Sequence, residues 1–484
     1  MDANYLNQIQ DEIRKIYYDF ESSSRNGNRI AIASNFRQIM IVEMKILSHL
    51  IEKRNMQCTA VNKIKEPFGA RELQKILQNH NHQDHKFFEW LFCSFNSAYI
   101  TIEKEQINDK IIYNNKTNVK AVLDSLSDMT LLSESGNFGT VWKTKIRGLS
   151  NVTYIKTDKN IAEFDKHFLK HEFFVGYQLN SLRKCIPNFM YVYGLFECKK
   201  VEGGSPCQPS ENEWGPDYNV DYLLMEKIKD AFPLTSILTN EKEKISHFQI
   251  MSIYFQVILS IKLAWERFGF THYDLHTSNV VLESTPNDEF VLIEYKCMQK
   301  TYYVKSNIIA RIIDYGLSHV EVENMHFGNL NIGRKMGFNA DESSPMWDIY
   351  KFAGTIMYDL VLYEHYDLVS RLKYLLTMFS SFKNITNDKN FVDQIIEENN
   401  EEDFFFSRFT EWEVANSLTP FEDNLEWILD RDKSLSKFLI FDEKSRPDIP
   451  ILNKSTKEVN YDEKFNKIVG DLSNVKLSQK RERN

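Results

Sequence analysis

The chain has 484 residues, of which 42% are hydrophobic and 26% charged, and its formal net charge is -9 at pH 7. This length exceeds that of one typical domain, the composition excludes a disordered chain, and the acidic balance argues against a dedicated nucleic-acid binder. No apolar run approaches the ~18 residues that span a membrane, and the charged first residues exclude a secretory signal, so we expect a cytoplasmic protein.

Helical periodicity marks the first part of the chain. Apolar residues recur at helical spacing over residues 5–20 and 36–50, which predicts two helices with one buried face each. Two shorter apolar stretches, 70–78 and 86–95, predict further helices. We therefore expect residues 1–124 to form a helical N-terminal extension, a structural brace whose residue pattern points to no chemistry.

Cysteine and histidine spacing predicts neither disulfides nor a metal centre. The six cysteines are scattered without a Cys-x-x-Cys pair, which is typical of free thiols in a reducing compartment. His80, His82 and His85 lie close together and could in principle bind a metal ion, but no second group of ligands lies at a familiar spacing. A polar turn between helices is the better interpretation of that run.

From about Ser125, short β-branched runs broken by Gly, Ser and Asn predict strands. The turn after the first strand carries Gly136 and Gly139 on either side of Phe138, and Val141 follows on the next strand. Glycine lets backbone N–H groups approach the phosphates of a nucleotide closely. Gly-x-x-Gly turns are also common in plain hairpins, so this motif alone is a weak signal.

Two charged residues follow this turn in an order that suits a phosphate site. Lys156 ends an alternating strand, and Glu172 lies in a helical stretch that carries apolar residues for burial. Without its sequence neighbours, Lys156 would be interpreted as a solvated residue at the end of a strand. Because the glycine turn precedes Lys156 and an acid that can orient it follows, Lys156 is instead predicted to face a bound nucleotide. A further apolar strand leads to Glu226.

The stretch THYDLHTSNVVLE, residues 271–283, has the spacing His-x-Asp-x-x-x-x-Asn of a phosphotransfer loop. His272, Asp274 and Asn279 occupy its three positions, and a long helix that is apolar on more than one side precedes it. Further along, Asp314 stands before a Tyr-Gly pair at the end of another buried strand. An aspartate in such a place is a suitable ligand for magnesium.

Taken together, residues 125–455 resemble the protein-kinase superfamily, because these motifs occur in the order of that family. Two later features agree. Asp348 lies in a stretch that resembles the helix whose aspartate holds the catalytic-loop backbone, and Arg446 lies in an Asp-x-x-x-Arg-Pro signature. The motif THYDLHTSN, together with inserted loops, further resembles the sequences of protein kinases of nucleocytoplasmic large DNA viruses.

The resemblance implies an α+β, bilobal protein-kinase-like fold. A β-rich small lobe is expected at about 125–228 and a helical large lobe at about 229–455, behind the helical extension 1–124. Residues 456–484 are expected to form a polar C-terminal tail. ATP and Mg²⁺ are the implied cofactors, a protein is the implied substrate, and the implied location is the host cytoplasm or the virion.

The resemblance also implies roles for individual residues. Lys156 would bridge the α- and β-phosphates of ATP, Glu172 would fix its rotamer, and Asp274 would accept or orient the proton of the acceptor hydroxyl. Asn279 and Asp314 would hold magnesium, and His272 would be a packing residue rather than a base. The remaining nucleotide contacts are assigned to Gly136, Phe138, Gly139, Val141, Glu226 and Ile228, the last two through backbone groups at the adenine, and to His276 at the phosphates.

Several departures from the family pattern accompany these roles. Glu134 occupies the first glycine position, and Tyr273 replaces the arginine that usually pairs with a phosphorylated activation segment. We therefore expect no requirement for phosphorylation at Ser343 or Ser344. The acidic partner of the signature arginine is unidentified, with Glu342 as a candidate. Two insertions are also present. One is predicted to form a hairpin over residues 288–306, and the acidic one at 397–406 is interpreted as a solvated face or a docking site for a basic partner.

His276 keeps alternatives open. Serine/threonine protein kinases carry a lysine there, whereas aminoglycoside- and choline-type phosphotransferases resemble the string Asp-Leu-His-x-x-Asn more closely. Asp348 and the Arg-Pro signature favour a serine/threonine protein kinase, with a small-molecule phosphotransferase as the alternative. A non-catalytic pseudokinase scaffold is disfavoured, because four residues that a scaffold could lose are all retained: Lys156, Asp274, Asn279 and Asp314.

Overall fold

The computed structural model describes part of the chain. The described residues are 11, 12, 15, 16, 18, 19, 42, 46, 100–107, 110–117, 126–133, 139–146, 149–158, 168–199, 219–228, 230–240, 245–298, 300–322, 324–328, 342–379, 387–399, 420–441 and 446–452. The predicted helices at 70–78 and 86–95, the histidine run and the C-terminal tail therefore lie outside the described residues.

The N-terminal extension is only partly helical. The described residues between Asp11 and Asp19 are helical, with Ile16 buried and Tyr18 exposed, as the spacing predicts. A β-hairpin follows, however, formed by β1 (Ile100–Ile107) and β2 (Lys110–Thr117). The expectation of a helical segment up to residue 124 was wrong here. An Asn-Asp pair between two β-branched runs, a hairpin signal, outweighs the helical pattern that precedes it.

Five antiparallel strands form the largest sheet among the described residues. They are β3 (Leu126–Ser133), β4 (Gly139–Ile146), β5 (Leu149–Asp158), β6 (Val192–Lys199) and β7 (Asn219–Glu226), in the spatial order β3-β4-β5-β7-β6. Helix α1 (Phe168–Leu179) packs against β5, β6 and β7. The middle strand β5 is therefore covered by a helix and flanked on both edges.

Helix α1 approaches this sheet closely at Gly176. A β-carbon there would lie 2.8 Å from Val192 Cγ1 and 3.2 Å from Tyr315 Cδ2. Only glycine allows this separation without a shift of the helix or of its neighbours. The position of α1, and with it the position of Glu172, thus depends on one small residue.

A long helix lies at the centre of the second, helix-rich part. After strand β8 (Phe232–Pro233) and helix α2 (Leu234–Leu238), helix α3 (His247–Phe268) begins at a capping box formed by Ser246 and Gln249 and ends at Gly269. Helix α3 is long and apolar enough to cross a membrane by length and composition alone. Most of its apolar window, 83%, is buried inside the protein, as a core helix requires.

Short strands surround the end of α3. Strands β9 (Val280–Ser284) and β12 (Ile308–Ile312) pair with each other, and β9 also pairs with β8. Strands β10 (Val291–Lys296) and β11 (Thr301–Ser306) form the inserted hairpin that the sequence predicts, and β15 (Leu439–Ile440) extends it. A last hairpin consists of β13 (Val320–Val322) and β14 (Met325–Phe327).

Five further helices complete the described part of the chain. They are α4 (Pro345–Leu362), α5 (Tyr366–Leu372), α6 (Tyr374–Thr377), α7 (Asp388–Asn399) and α8 (Pro420–Arg431). Helices α3 and α4 pack together, with the rings of Tyr254 and Phe352 stacked 5.9 Å apart. This arrangement brings the N-terminal end of α4 beneath residues 271–279.

Candidate active site

Lys156 joins three parts of the protein that are distant in sequence. It lies on the middle strand β5, opposite Val141 on β4 and Leu223 on β7. Its Nζ donates hydrogen bonds to Glu172 Oε2 at 2.8 Å and to Asp314 Oδ1 at 3.0 Å. The lysine therefore connects the sheet, helix α1 and the segment after β12, as the sequence analysis predicts for Lys156 and Glu172.

Burial and neighbouring charges act in opposite directions on the pKa values of Lys156 and Glu172. The side chain of Lys156 is 11% exposed and that of Glu172 is 1% exposed. Burial alone would lower the pKa of Lys156, but attraction to Asp314 and Glu172 raises it above its ordinary value, so the ammonium form persists. Burial raises the pKa of Glu172, and the neighbouring ammonium opposes that rise.

The turn that carries Asp314 is held from inside the protein. Asp314 has a φ of 65°, in the left-handed region that non-glycine residues rarely adopt. The buried Tyr315 beside it donates its hydroxyl to the carbonyl oxygens of Met190 at 3.1 Å and of Ile312 at 2.9 Å. These contacts fix the backbone so that the carboxylate of Asp314 points towards Lys156.

Asp348 holds the backbone of the loop that contains Asp274. The carboxylate of Asp348 is fully buried and accepts hydrogen bonds from the backbone N–H of His272 at 2.6 Å and of Tyr273 at 2.8 Å. Burial raises the pKa of Asp348 to about 7, while these two hydrogen bonds oppose the rise. The role that the sequence predicts for Asp348 is thus confirmed.

His272 is a buried packing residue. Its Nε2 lies 2.9 Å from the carbonyl oxygen of Ile313, and its Nδ1 lies 3.3 Å from the backbone N–H of Asp274. Because a carbonyl can only accept, Nε2 carries the proton and Nδ1 accepts. Burial lowers the pKa of His272 to about 4, so the ring is neutral at pH 7. Because both ring nitrogens of His272 are hydrogen-bonded, the ring is a packing and hydrogen-bonding residue of the loop, as predicted.

Asp274 and Asn279 lie together at the start of strand β9. Asn279 Nδ2 donates to the carbonyl oxygen of Asp274 at 2.9 Å, and the backbone N–H of Ile313 donates to the carbonyl oxygen of Asn279 at 3.0 Å. The loop is therefore bonded directly to the residue before Asp314. The predicted catalytic and metal-binding residues thus converge on one place.

Two cationic or potentially cationic groups flank the carboxylate of Asp274. Lys351 Nζ lies 2.5 Å from Oδ1, and His276 Nε2 lies 3.6 Å from Oδ2. Burial alone would raise the pKa of Asp274, but Lys351 and His276 together hold it well below its usual range. Asp274 is therefore a stable carboxylate across the physiological pH range.

Lys351 is a residue that the sequence analysis missed. It lies on α4, three positions after Asp348, so both residues face the same side of the helix. That spacing was the available signal, because a helix that presents Asp348 to the loop must present position 351 nearby. Because Lys351 and Asp274 are 77 positions apart, no short sequence motif indicates that the two side chains meet.

Glu226 already makes several contacts within the protein, although it was predicted to contact the adenine base through its backbone. Its buried carboxylate forms an ion pair with Arg183 at 3.1 Å and accepts a hydrogen bond from the backbone N–H of Tyr191 at 3.1 Å. Its own N–H donates to the carbonyl oxygen of Tyr191 at 2.8 Å. The donor expected for an adenine base would therefore come from the residues after Glu226, where Ile228 is buried. The adenine contact remains a prediction.

The described ranges include only some of the other residues that were predicted to contact the nucleotide. Gly139 begins strand β4, and Val141 lies beside Lys156 in the register of the sheet. His276 precedes a short 3-10 helix, Thr277–Asn279, and its side chain is 31% exposed. Gly136 and Phe138, like Glu134, lie outside the described residues.

Hydrogen bonds to the loop that contains Asp274 hold the segment before α4. The hydroxyl of Tyr273 donates to the carbonyl oxygen of Glu342 at 2.6 Å, and the backbone N–H of Ser344 donates to Thr271 Oγ1 at 2.8 Å.

The guanidinium of Arg446 lies 5.8 Å from the centre of the Tyr303 ring. Within the described ranges, no ion pair joins Arg446 to Glu342, so that candidate partner finds no support.

The donor set fits a hard cation such as Mg²⁺. Asp314 supplies carboxylate oxygens on a side chain that is 36% exposed, and Asn279 supplies an amide oxygen. The described residues contain no group of three or more His, Cys, Asp or Glu side chains that could hold a metal ion by themselves. Magnesium ordinarily takes only one or two protein ligands and completes its shell with phosphate oxygens and water.

The arrangement of these residues resembles the active site of a protein kinase, and comparisons with known proteins point the same way. No family model matches the chain. A protein of Invertebrate iridescent virus 3 named as a probable kinase is 27% identical over 262 residues, covering 53% of this chain and 44% of that protein. An uncharacterized protein of Invertebrate iridescent virus 6 is 26% identical over 268 residues, covering 53% of this chain and 20% of that protein.

A shorter match reaches a cellular protein. A probable serine/threonine-protein kinase of Dictyostelium discoideum is 33% identical over 78 residues, covering 15% of this chain and 6% of that protein. The chain spans less than half the length of each of these three relatives. The resemblance to the protein-kinase superfamily, and to its viral members, is thereby confirmed.

Among solved structures, WaaP in complex with acyl carrier protein aligns with 58% of this chain and 93% of that chain. The sequence identity is 10% and the TM-score is 0.31. A likeness at this TM-score carries no argument about the function of the present chain.

Proposed function

We propose that the protein is a phosphotransferase of the protein-kinase type, which moves the γ-phosphate of ATP to the hydroxyl group of a serine or threonine in a protein. The single observation that carries this proposal is the junction of Lys156 with Glu172 and Asp314. A buried lysine held between two acids is costly unless it serves a ligand or a specific structure. Its position in a five-stranded sheet above a helix-rich part supports a bilobal kinase arrangement.

Each residue then has a physical task. Lys156, oriented by Glu172, neutralises charge on the α- and β-phosphates. Asp314 and Asn279 would hold magnesium, which would supply positive charge to offset the charge on the leaving phosphate. Phosphoryl transfer needs little covalent chemistry from the protein, so positioning and charge stabilisation are the main contributions of these side chains.

Asp274 orients the acceptor hydroxyl. Its carboxylate is held by Lys351 and by Asn279, so its direction is set before the substrate binds. Because its pKa lies below the usual range, Asp274 is a weak proton acceptor in the free protein. Its first task is therefore to accept a hydrogen bond from the hydroxyl. The proton passes to the Asp274 carboxylate as the new oxygen–phosphorus bond forms and the bond between the γ-phosphorus and the departing ADP breaks.

Small-molecule phosphate transfer is a second candidate. The observation that favours it is His276, in the string Asp-Leu-His-x-x-Asn, where serine/threonine protein kinases carry lysine. A protein acceptor is supported by the two hydrogen bonds that Asp348 accepts from the loop and by the relative named as a probable serine/threonine-protein kinase. Both candidates share the ATP site and differ in the acceptor.

The test is transfer of labelled phosphate from Mg-ATP to the protein itself, to a basic acceptor protein and to a panel of aminoglycosides and choline. Wild type is compared with Asp274→Asn, which removes the charge at constant size, and with Lys156→Met. Lys296→Met is the control, because Lys296 is 65% exposed on the inserted hairpin. Folding of each variant is checked by circular dichroism.

The outcomes separate the candidates. Phosphoserine or phosphothreonine that is lost in Asp274→Asn and Lys156→Met, and kept in Lys296→Met, supports a protein kinase. Label on small molecules alone moves the assignment to the second candidate. A folded wild-type protein that transfers phosphate to neither class of acceptor overturns the proposed function.

A further inference from the structure

Lys351 contacts the side chain of Asp274 from helix α4. The side chain of Lys351 is 6% exposed, and its Nζ lies 2.5 Å from Asp274 Oδ1. One helical turn earlier, Asp348 contacts the backbone of the same loop at His272 and Tyr273. Helix α4 therefore holds both the main chain of the loop and the carboxylate that the loop presents.

A buried ammonium needs a compensating partner, because burial disfavours the charged form. Two buried lysines among the described residues show different solutions. Lys262 pairs with Glu266 at 2.8 Å, one turn further along the same helix α3, where both side chains are at most 6% exposed. Lys351 instead pairs with Asp274, whose side chain is 20% exposed and reaches the candidate site.

The location of this pair has a chemical consequence. The acceptor hydroxyl lies next to Asp274, and the phosphoryl group must approach that hydroxyl directly. Negative charge then gathers near a carboxylate, which is unfavourable without a nearby cation. The ammonium of Lys351 lies closer to this carboxylate than the imidazole of His276 does, at 2.5 Å against 3.6 Å.

We infer that Lys351 is a positioning residue of the phosphotransfer site, which fixes the carboxylate of Asp274 and neutralises it beside the incoming phosphoryl group. This inference rests on the proposed function, since it assigns Lys351 a task in that reaction. It places the basic group nearest to the Asp274 carboxylate on helix α4 rather than in the loop at position 276. Neither the spacing of the loop motif nor the resemblance to known kinases assigns a role to Lys351.

The experiment measures kcat and the KM for ATP in phosphate transfer at pH 7.5 for wild type, Lys351→Met and Lys351→Arg. We expect Lys351→Met to lower kcat by about tenfold to a hundredfold with little change in the KM for ATP, because a misdirected Asp274 affects the transfer step. Lys351→Arg, which keeps a cation within reach of Asp274, should restore part of kcat.

Lys262→Met is the matched control, a buried lysine whose partner Glu266 lies within α3. It should keep kcat and the KM for ATP close to those of wild type. An unchanged kcat in folded Lys351→Met, a loss of kcat in Lys262→Met as large as that in Lys351→Met, or no recovery of kcat in Lys351→Arg overturns the inference and leaves the proposed function in place. Absence of transfer by wild type to every acceptor overturns the proposed function and this inference together.

Discussion

Tyr273 donates its backbone N–H to the buried carboxylate of Asp348 at 2.8 Å, although the two residues are 75 positions apart. Tyr273 has a φ of 61°, a left-handed conformation that costs about 1–2 kcal/mol for a non-glycine residue. The hydrogen bonds from Tyr273 and its neighbour His272 to Asp348 offset this cost. The shape of the loop around Asp274 is therefore maintained by a helix that follows it much later in the chain.

Removal of the Asp348 carboxylate should destabilise the protein strongly. Asp348→Ala leaves two buried N–H groups without an acceptor, at about 1–3 kcal/mol each. We expect the free energy of unfolding to fall by about 2–5 kcal/mol in urea titrations at pH 7.5. Asp348→Asn keeps one oxygen acceptor and should lose less. Equal losses in the two variants would contradict this account of the loop.

A negative charge at Ser343 should not activate the protein. The segment before α4 is already held by Tyr273 at Glu342 and by Thr271, whose Oγ1 lies 3.2 Å from Ser343 Oγ. We expect Ser343→Asp to transfer phosphate no faster than Ser343→Ala, in initial-rate measurements at saturating ATP. A large gain in Ser343→Asp alone would mean that the segment is ordered by a cation outside these contacts.

Gly176→Ala should separate helix α1 from the sheet. The added methyl group would lie within 3 Å of Val192, so helix or strand must shift, at about 1–3 kcal/mol. Phosphate transfer should fall as well, because α1 carries Glu172. Thermal unfolding and transfer rates measure the two effects.

Gly194→Ala is the matched control for that prediction. Gly194 lies on the adjoining strand, where a β-carbon would find its nearest neighbour, Leu224 Cδ1, at 3.9 Å. This is an ordinary van der Waals distance, so stability should change by no more than about 0.5 kcal/mol. A loss in Gly194→Ala as large as that in Gly176→Ala would show that the close approach is not the cause.

His319 should make the stability of the protein sensitive to acid. Its Nδ1 donates to the carbonyl oxygen of Gly269 at 2.9 Å, and its Nε2 lies 3.1 Å from Nδ1 of His326. Burial lowers the pKa of His319 to about 3, and the charges of His326 and His171 act in the same direction. The ordinary value of about 6.5 applies to the unfolded chain.

The direction follows from these two values. Above pH 6.5 the ring is neutral in both states, and below it only the unfolded chain gains the proton, so stability falls by about 1.4 kcal/mol per pH unit. His319→Asn keeps a donor for Gly269 and removes the titration. Urea unfolding at pH 7.5 and pH 5.5 should show a smaller loss in His319→Asn than in wild type. Groups common to both proteins cancel in this comparison, and equal losses would contradict the prediction.

Much of the candidate site could be predicted from the sequence. The resemblance of the motif order to that of protein kinases pointed to Lys156, Glu172, Asp274, Asn279 and Asp314, which the structure brings together. Alternating and helical periodicity likewise predicted the inserted hairpin and the buried helix α3. The hairpin and the helix could be predicted because each depends on residues a few positions apart, whose spacing decides which side chains share a face.

Other contacts were decided only by tertiary structure. Lys351 reaches Asp274 because α4 packs beneath the loop, and Glu226 is paired with Arg183 because β7 runs beside the segment after α1. The hairpin at 100–117 was hidden within a chain region whose neighbours are helical. The sequence by itself therefore determined which side chains could carry the chemistry, whereas packing between distant elements decided which charges stand beside them, since no local spacing encodes a contact across 77 positions.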